Sequence, residues 1–267
     1  MKNFIITIFL FQLFNVDVLS QTNGIVIKAE YRSTRVCNSD STRNKITYHI
    51  RQDILRVDIK GIAANTSIIY QPLSDKIWVL YHHEKVYYTM NSSELKFLEE
   101  EVAKQSDDFQ KSIADRDSVG REQTMMIWPD GNPFAFEDPE YTLIKKKDSL
   151  ISQLMCDKYE GNRNGRTVQL MFVNNFKTMG IKDDELQILQ EFSVFMGKGF
   201  KALSGNMDVT NLYKKDVSGY PILIENVNRG VLCNTYKIKN IYRMLLDNKL
   251  FEIPLAYGKF ENPLGKK

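Results

Sequence analysis

Histidines beside a carboxylate are the first residues to consider, because few other side chains bind metals or move protons at neutral pH. The segment His82-His83-Glu84 has this composition, and it can bind zinc when further ligands converge on it. A zinc site needs three or four ligands, and the remaining histidine, His49, precedes a different predicted turn. No two histidines are four residues apart, as a helical metalloprotease pair requires. We therefore predict a polar hairpin tip here, with no metal and no cofactor.

No motif for nucleophilic catalysis or nucleotide binding accompanies these residues. Serine hydrolases place the nucleophile on a sharp turn, commonly within G-x-S-x-G, and the segments around Ser204 and Ser218 lack those flanking glycines. A cysteine nucleophile needs a histidine base, and no spacing in the chain couples the two residue types. Phosphate-binding G-x-x-x-x-G-K and dinucleotide-binding G-x-G-x-x-G segments are absent from the sequence. We therefore predict that the protein is not an enzyme.

Three cysteines carry the remaining candidate chemistry: Cys37, Cys156 and Cys233. In an oxidising compartment two of them can form a disulfide and leave one thiol over. Their wide spacing matches no metal-binding pattern such as C-x-x-C. The sequence leaves open which two pair, and also whether all three are buried or free thiols.

Arg56 and Asp58 are two residues apart in a predicted strand, so their side chains share one face. We expect them to form a cross-strand ion pair that fixes the strand register.

The composition is that of an ordinary globular protein. The chain has 267 residues, 43% of them hydrophobic and 26% charged, with a net charge of +3. The charges are interleaved, which argues against nucleic acid as a partner. The basic run at residues 145–147 stands beside Asp148, and we expect it to be a solvated loop.

Residues 1–20 have the three regions of a secretory signal peptide: a positively charged lysine, an apolar run at residues 4–14, and a short, more polar segment that ends at Ser20. The run is too short to cross a bilayer core of about 30 Å as an ordinary anchor. We predict cleavage before Gln21, a periplasmic or secreted protein, and no membrane span after cleavage. An uncleaved anchor or a buried first helix is the alternative.

Most of the remaining chain alternates apolar and polar residues with the period of a β-strand. The predicted strands are residues 24–34, 45–50, 55–60, 66–70, 76–81, 86–90, 124–128, 149–159, 167–174, 221–227, 233–241 and 243–246. A helical stripe predicts a charged helix at residues 93–114, with a break near Ser106 and a cap at Ser92 or Ser93. A second, largely apolar helix is predicted at residues 183–196. We expect a single domain at residues 21–267 with a helical insertion at about 93–121.

The fold class predicted from these elements is mainly β, in the α+β class. Residues 76–81 read KIWVLY, which places Ile77 and Val79 on one face and Trp78 and Leu80 on the other. Such a strand needs cover on both sides. A strongly curved antiparallel sheet, or an unfinished barrel, with helices covering the concave face provides that cover.

Five segments of the sequence resemble a known family. They are residues 54–61, 66–90, 154–161, 219–225 and 249–260, and they include an arginine–hydrophobic–aspartate strand, a cysteine-x-x-tyrosine strand and a closing F-E-I-P segment. The chain resembles an uncharacterised family of exported bacterial proteins related to the outer-membrane lipoprotein carriers. The resemblance implies a bent antiparallel sheet with a helix-covered apolar cavity, which in the carriers shields the acyl chains of a lipoprotein.

The functional hypothesis is an exported binder of an apolar ligand, a lipid or a lipoprotein acyl chain, held in a cavity under the second helix. Its predicted lining residues are Trp78, Leu80, Ile127, Phe192, Phe195 and Met196. A plain packed core is the alternative interpretation of the same residues. In that case the protein is a structural or interaction module of the cell envelope with a protein partner, bound through an exposed apolar patch around Leu95, Leu98 and Val102.

Overall fold

The computed structural model describes residues 21–34, 41–61, 65–115, 142–163, 165–196, 217–228 and 230–260. The predicted signal peptide at residues 1–20, the predicted strand at 124–128, Cys37 and Ile127 lie outside the described residues.

Strands make up most of the described chain. They are β1 (Gln21–Ser33), β2 (Arg43–Ile50), β3 (Leu55–Lys60), β4 (Asn65–Gln71), β5 (Lys76–Tyr81), β6 (Val86–Asn91), β7 (Thr142–Lys145), β8 (Ser149–Ile151), β9 (Leu154–Arg163), β10 (Arg166–Asn174), β11 (Tyr220–Asn228), β12 (Val231–Asp247) and β13 (Gly258–Lys259). The two α-helices are α1 (Ser92–Ala114) and α2 (Gln187–Met196), and short 3-10 turns lie at Pro72–Ser74, Lys177–Met179, Asp184–Leu186 and Asn248–Phe251.

The strands form one large, curved, open sheet of 13 strands, which confirms the predicted fold class. The strand order is β13-β6-β5-β4-β3-β2-β1-β12-β11-β10-β9-β7, with β8 also paired to β9. Neighbours are antiparallel except β13, which pairs with β6 in parallel. Chain-adjacent hairpins therefore build two halves, and the pairing of β1 with β12 joins them.

The main hydrophobic core lies on the inner face of this sheet. Its buried residues come from β1 to β6 and from β9 to β12, and residues of α1 and α2 belong to the same cluster. The open sheet curves around this core, and α2 fills the hollow with Ile188, Leu189, Phe192 and Met196, all buried.

The outer face carries a second cluster, which the C-terminal segment covers. Its buried members include Val26, Ile69, Leu80 and Phe251, and Trp78 packs against it. We call residues 247–260 the C-terminal strap, because they pack across the outer face of the half of the sheet formed by β1 to β6. The strand KIWVLY is therefore covered on both faces, as its composition predicts.

Helix α1 differs from its prediction at two points. It runs without a break from Ser92 to Ala114, and its cap is Asn91 rather than a serine. The Asn91 side chain accepts a hydrogen bond from the Glu94 amide, and the Glu94 carboxylate accepts one from the Asn91 amide, both at 2.9 Å. This reciprocal capping box gives hydrogen-bond acceptors to the Asn91 and Glu94 amides. With a serine cap one residue later, those two amides would hydrogen-bond only to water.

Three other boundaries also differ. The strands predicted at residues 233–241 and 243–246 are one continuous strand, β12, because it pairs with β1 along its length and a bulge at Lys239 absorbs one extra residue. The strand predicted at 149–159 is split by a turn at Ser152 and Gln153, which have φ of 49° and 69°. Residues 184–186 form a 3-10 turn, so α2 begins at Gln187. No helix within the described ranges is long and apolar enough to span a membrane.

Candidate functional site: a groove between the two helices

An open groove of about 650 Å³ runs between α1 and α2 above the inner face of the sheet. Its lining residues are Tyr70, Ser92, Leu95, Lys96, Glu99, Gln187, Gln190, Glu191, Val194, Phe195 and Met196. The capping box fixes the start of α1 on one side. On the other side, Glu185 accepts two hydrogen bonds from Arg243 of β12, both at 2.6 Å, and so ties the entry of α2 to the sheet.

The floor of the groove is apolar and aromatic. The Tyr70 ring lies 5.5 Å from the Phe192 ring and 5.1 Å from the Phe195 ring, both in tilted packing. Leu95 and Met196 complete the floor and are buried. Burial raises the pKa of Tyr70 to about 12, and the negative charges of Glu191 and Asp75 act in the same direction. The Tyr70 hydroxyl is therefore neutral at physiological pH.

The rim of the groove is polar. Lys96 and Glu99 project from α1, and Gln187, Gln190 and Glu191 project from α2. Val194 stands on the same side of α2 with 71% of its surface exposed. A groove with an apolar floor and a polar rim suits an amphipathic occupant, whose chain is buried and whose polar end stays in water.

The predicted cavity residues are divided between the two faces of the sheet. Phe195 and Met196 line the groove, and Phe192 packs beneath it against Tyr70. Trp78 and Leu80 lie on the outer face, in the cluster under the C-terminal strap. The reason is the strand alternation: Ile77 and Val79 face the inner core, so their neighbours must face away.

The space directly under α2 is packed. Leu186 and Met196 have no exposed surface, and Phe192 is 1% exposed. The open volume therefore lies beside α2, between it and α1. The apolar patch expected around Leu95 and Leu98 is not exposed, because Leu95 is 4% and Leu98 is 6% exposed, and the Val102 side chain lies outside the described part.

A polar cluster on the outer face was not recognised from the sequence. The predicted hairpin tip is present, since residues 82–85 turn between β5 and β6, but His82 points back to the sheet. His82 Nε2 lies 2.6 Å from Ser67 Oγ, and His82 Nδ1 lies 2.6 Å from the Tyr257 hydroxyl. Arg56 donates to Asp58 at 2.7 Å and to Ser67 at 2.9 Å. No sequence motif indicates this cluster, because its residues meet only through the strand register, which places β3, β4 and β5 side by side.

The hydrogen positions in this cluster follow from donor counting. Ser67 has one hydroxyl hydrogen, which it donates to Asp58. His82 Nε2 must therefore donate to Ser67, which also accepts from Arg56. In neutral His82 the other nitrogen, Nδ1, then accepts from the Tyr257 hydroxyl. Ser67 is fully buried, so this serine–histidine contact joins β4 to the turn between β5 and β6 inside the protein.

Burial and neighbouring charges shift the pKa values of both Asp58 and His82. Burial alone would raise the pKa of Asp58, but the hydrogen bond from His49, the charge of Arg56 and the hydrogen bond from Ser67 hold it far below its usual value. Burial and the charge of Arg56 lower the pKa of His82. The predicted ion pair of Arg56 with Asp58 forms within one strand, and the cross-strand contact is made by His49, 3.2 Å from Asp58.

The cysteines have different states. Cys156 is a buried free thiol, and burial raises its pKa. Cys233 is in a disulfide. Across the described ranges, no group of three or more histidine, cysteine, aspartate or glutamate side chains is arranged to hold a metal ion.

No protein-family model matches the chain, and no curated protein matches it. Three solved structures show low similarity. An uncharacterized conserved protein from Thermus thermophilus is 9% identical over 91% of this chain and 92% of that chain, with a TM-score of 0.43. PNGF-II is 8% identical over 90% of this chain and 32% of its own, with a TM-score of 0.37. The MucA/MucB complex of Pseudomonas aeruginosa is 9% identical over 91% of this chain and 60% of that chain, with a TM-score of 0.36.

Proposed function

We propose that this chain is an exported, non-enzymatic protein that binds an apolar ligand, a lipid or a lipoprotein acyl chain, in the groove between α1 and α2. The observation that carries the proposal is the groove itself: about 650 Å³ of open space over an aromatic floor. Sites for small molecules commonly have volumes of about 300–1,000 Å³ and mostly apolar walls. Export rests on the composition of residues 1–20.

The floor suits a flexible hydrocarbon chain. Phe195 is partly buried and Val194 is 71% exposed, so both present apolar surface to the groove. Each methylene removed from water contributes about 0.8 kcal/mol, so six methylenes in the groove would contribute about 5 kcal/mol before the cost of ordering. Lys96 and the glutamines of the rim can hydrogen-bond a polar head group at the mouth of the groove.

The proposal is tested with cis-parinaric acid, a fluorescent fatty acid that brightens in apolar sites. Gln190 is an exposed rim residue, and Gln190→Trp places a large ring over the groove. We expect this variant to weaken binding at least about tenfold, because the ring occupies the volume of the chain. Gln105→Trp is the matched control, on an exposed position of α1 that does not line the groove. Equal binding by both variants, or none by the wild type, would contradict the proposal.

A second candidate is an interaction module of the cell envelope, whose groove accepts an apolar segment of a protein partner. The solid packing under α2 and the 71% exposure of Val194 favour it. A photo-crosslinking residue at Val194 would then capture a partner in cells, and the same residue at the fully exposed Leu255 would not. Capture of lipid at Val194 would favour the first candidate.

A further inference from the structure

An exposed band of basic residues lies on the outer face of the sheet, where β12, β1, β2 and β3 are neighbours. Strand alternation places these residues opposite the core-facing Ile27, Ala29 and Ile46. The basic band consists of Lys28, Arg32, Arg43, Lys45, Lys60, Lys237 and Lys239. All are exposed except Lys237, which is partly buried.

Two carboxylates lie among these cations, and a third, Asp58 of β3, stands two residues before Lys60 but is paired with Arg56 at 2.7 Å. Glu30 is held by Arg32, by Arg43 at 2.6 Å and by Lys239 at 3.7 Å, and the Arg32 hydrogen bond leads the contacts that lower its pKa to about 2. Glu225 faces the band from β11, next to Thr235. Seven basic residues less these two carboxylates leave five positive charges, on a chain whose total net charge is +3. The rest of the chain is therefore slightly acidic.

The register brings like charges directly opposite one another. Arg32 pairs with Arg43 across β1 and β2, and Lys45 pairs with Lys60 across β2 and β3. Like charges in directly opposed positions destabilise a sheet. Arg32 and Arg43 share the Glu30 carboxylate, which offsets their mutual repulsion. Lys45 and Lys60 remain directly opposed, and an anionic partner that covers the band would offset their repulsion.

Exposed apolar residues continue the same face along β12. Tyr242 is opposite Val26 and is 37% exposed, and Met244 is opposite Gly24 and is 44% exposed. The Lys28 ammonium lies 5.4 Å from the centre of the Tyr242 ring. A tyrosine beside lysines is a combination suited to the boundary between lipid head groups and acyl chains.

We propose that the basic band, together with Tyr242 and Met244, docks the protein on a bilayer with anionic head groups. The band crosses four strands, which is about 15 Å at the usual strand spacing, so it presents a surface rather than a pocket for one ion. Its small hollow of about 160 Å³ already contains the Glu30 carboxylate, which repels a single bound anion. The groove lies on the inner face of the sheet and remains open to solvent in this orientation.

The test is co-sedimentation of the purified protein, as the cell produces it, with vesicles of phosphatidylcholine with and without 30% phosphatidylglycerol. We expect binding that depends on phosphatidylglycerol and falls steeply between 50 and 500 mM salt. Lys45→Gln/Lys60→Gln should lower the partition coefficient about fivefold per residue, or about twenty-five-fold for the pair. Lys104→Gln/Lys111→Gln, two exposed positions of α1, changes the net charge equally and should bind as wild type.

The Lys45/Lys60 variant also separates binding from folding. It removes a like-charge pair, so it should unfold at the same or a higher denaturant concentration while binding vesicles less. Tyr242→Ser should weaken binding at high salt, where the apolar contact dominates. Binding that ignores phosphatidylglycerol, equal loss in the α1 control, or binding to poly-L-glutamate without binding to vesicles would overturn the proposal. The last result would point to an acidic protein instead.

Discussion

The Tyr257 hydroxyl lies 2.6 Å from Nδ1 of His82, across a sequence separation of 175 residues. The two rings pack edge to face with centroids 5.8 Å apart. A second contact between the sheet and the strap is made by Arg56, which donates to the Leu250 carbonyl at 2.5 Å. Two polar contacts, at Leu250 and at Tyr257, thus hold the C-terminal strap over the outer hydrophobic cluster.

Removal of the Tyr257 hydroxyl should loosen the strap. Tyr257→Phe deletes the donor to His82 and keeps the ring, so we expect a loss of about 1 kcal/mol in the free energy of unfolding. Urea unfolding measures this change. Tyr242→Phe, at an exposed ring, is the matched control and should change stability by less than about 0.5 kcal/mol. A Tyr257→Phe protein as stable as the control would show that the contact does not hold the strap.

Folding stability should fall as the pH drops through the range in which free histidine titrates. The pKa of His82 is lowered from 6.5 in the folded protein, so the unfolded chain binds a proton that the folded chain does not. The unfolded state is therefore stabilised relative to the folded state as the pH falls below about 6.5. This effect ends once the pH is below the lowered pKa of His82 in the folded protein. Urea midpoints from pH 8 to pH 5 should decrease in the wild type and change less in His82→Gln. A wild-type profile parallel to that of the variant would contradict this assignment.

Two arginine–aspartate pairs in the described part of the chain have the same spacing and different burial. The Arg56 and Asp58 side chains are 12% and 17% exposed, whereas Asp53, which pairs with Arg51, is 57% exposed. Asp58→Asn leaves a buried guanidinium without its counter-charge and should cost about 3 kcal/mol of stability. Asp53→Asn should cost about 0.5 kcal/mol, because an exposed pair is screened by water. Similar losses in the two variants would contradict a special role for burial.

Thiol titration should distinguish Cys156 from Cys233. Cys156 is 1% exposed with a raised pKa, so Ellman's reagent should react slowly in the folded protein and rapidly in denaturant. Cys233 should react only after reduction. Peptide mapping without reductant should find Cys233, and not Cys156, in a disulfide-linked peptide. Three reactive thiols in denaturant without reductant would contradict this result.

The period-two pattern predicted the strands well, because apolar alternation reports burial directly. Residues 76–81 form the strand predicted for them, and their two faces are both covered. The alternation does not encode which face meets the helices, so the sequence alone predicts Trp78 and Leu80 in the same cavity as Phe192. Their true partners, such as Phe251, are far away in the chain.

The polar cluster was missed for a related reason. Arg56 and Asp58 were recognised as one face of a strand, but Ser67, His82 and Tyr257 join them only through the register of three further elements. The helix cap was readable locally, since Asn91 and Glu94 have the N-x-x-E spacing of a capping box. The adjacent serines gave a competing cap, and only the backbone geometry distinguishes them.

Native mass spectrometry of the protein purified from cells tests the central claim most directly, because it weighs protein and ligand together. We predict an added mass of a few hundred daltons that dissociates as a lipid or fatty acid, and that is lost in Gln190→Trp but kept in Gln105→Trp. A bare protein mass in all three forms, with no uptake of added fatty acid, would contradict the proposed function.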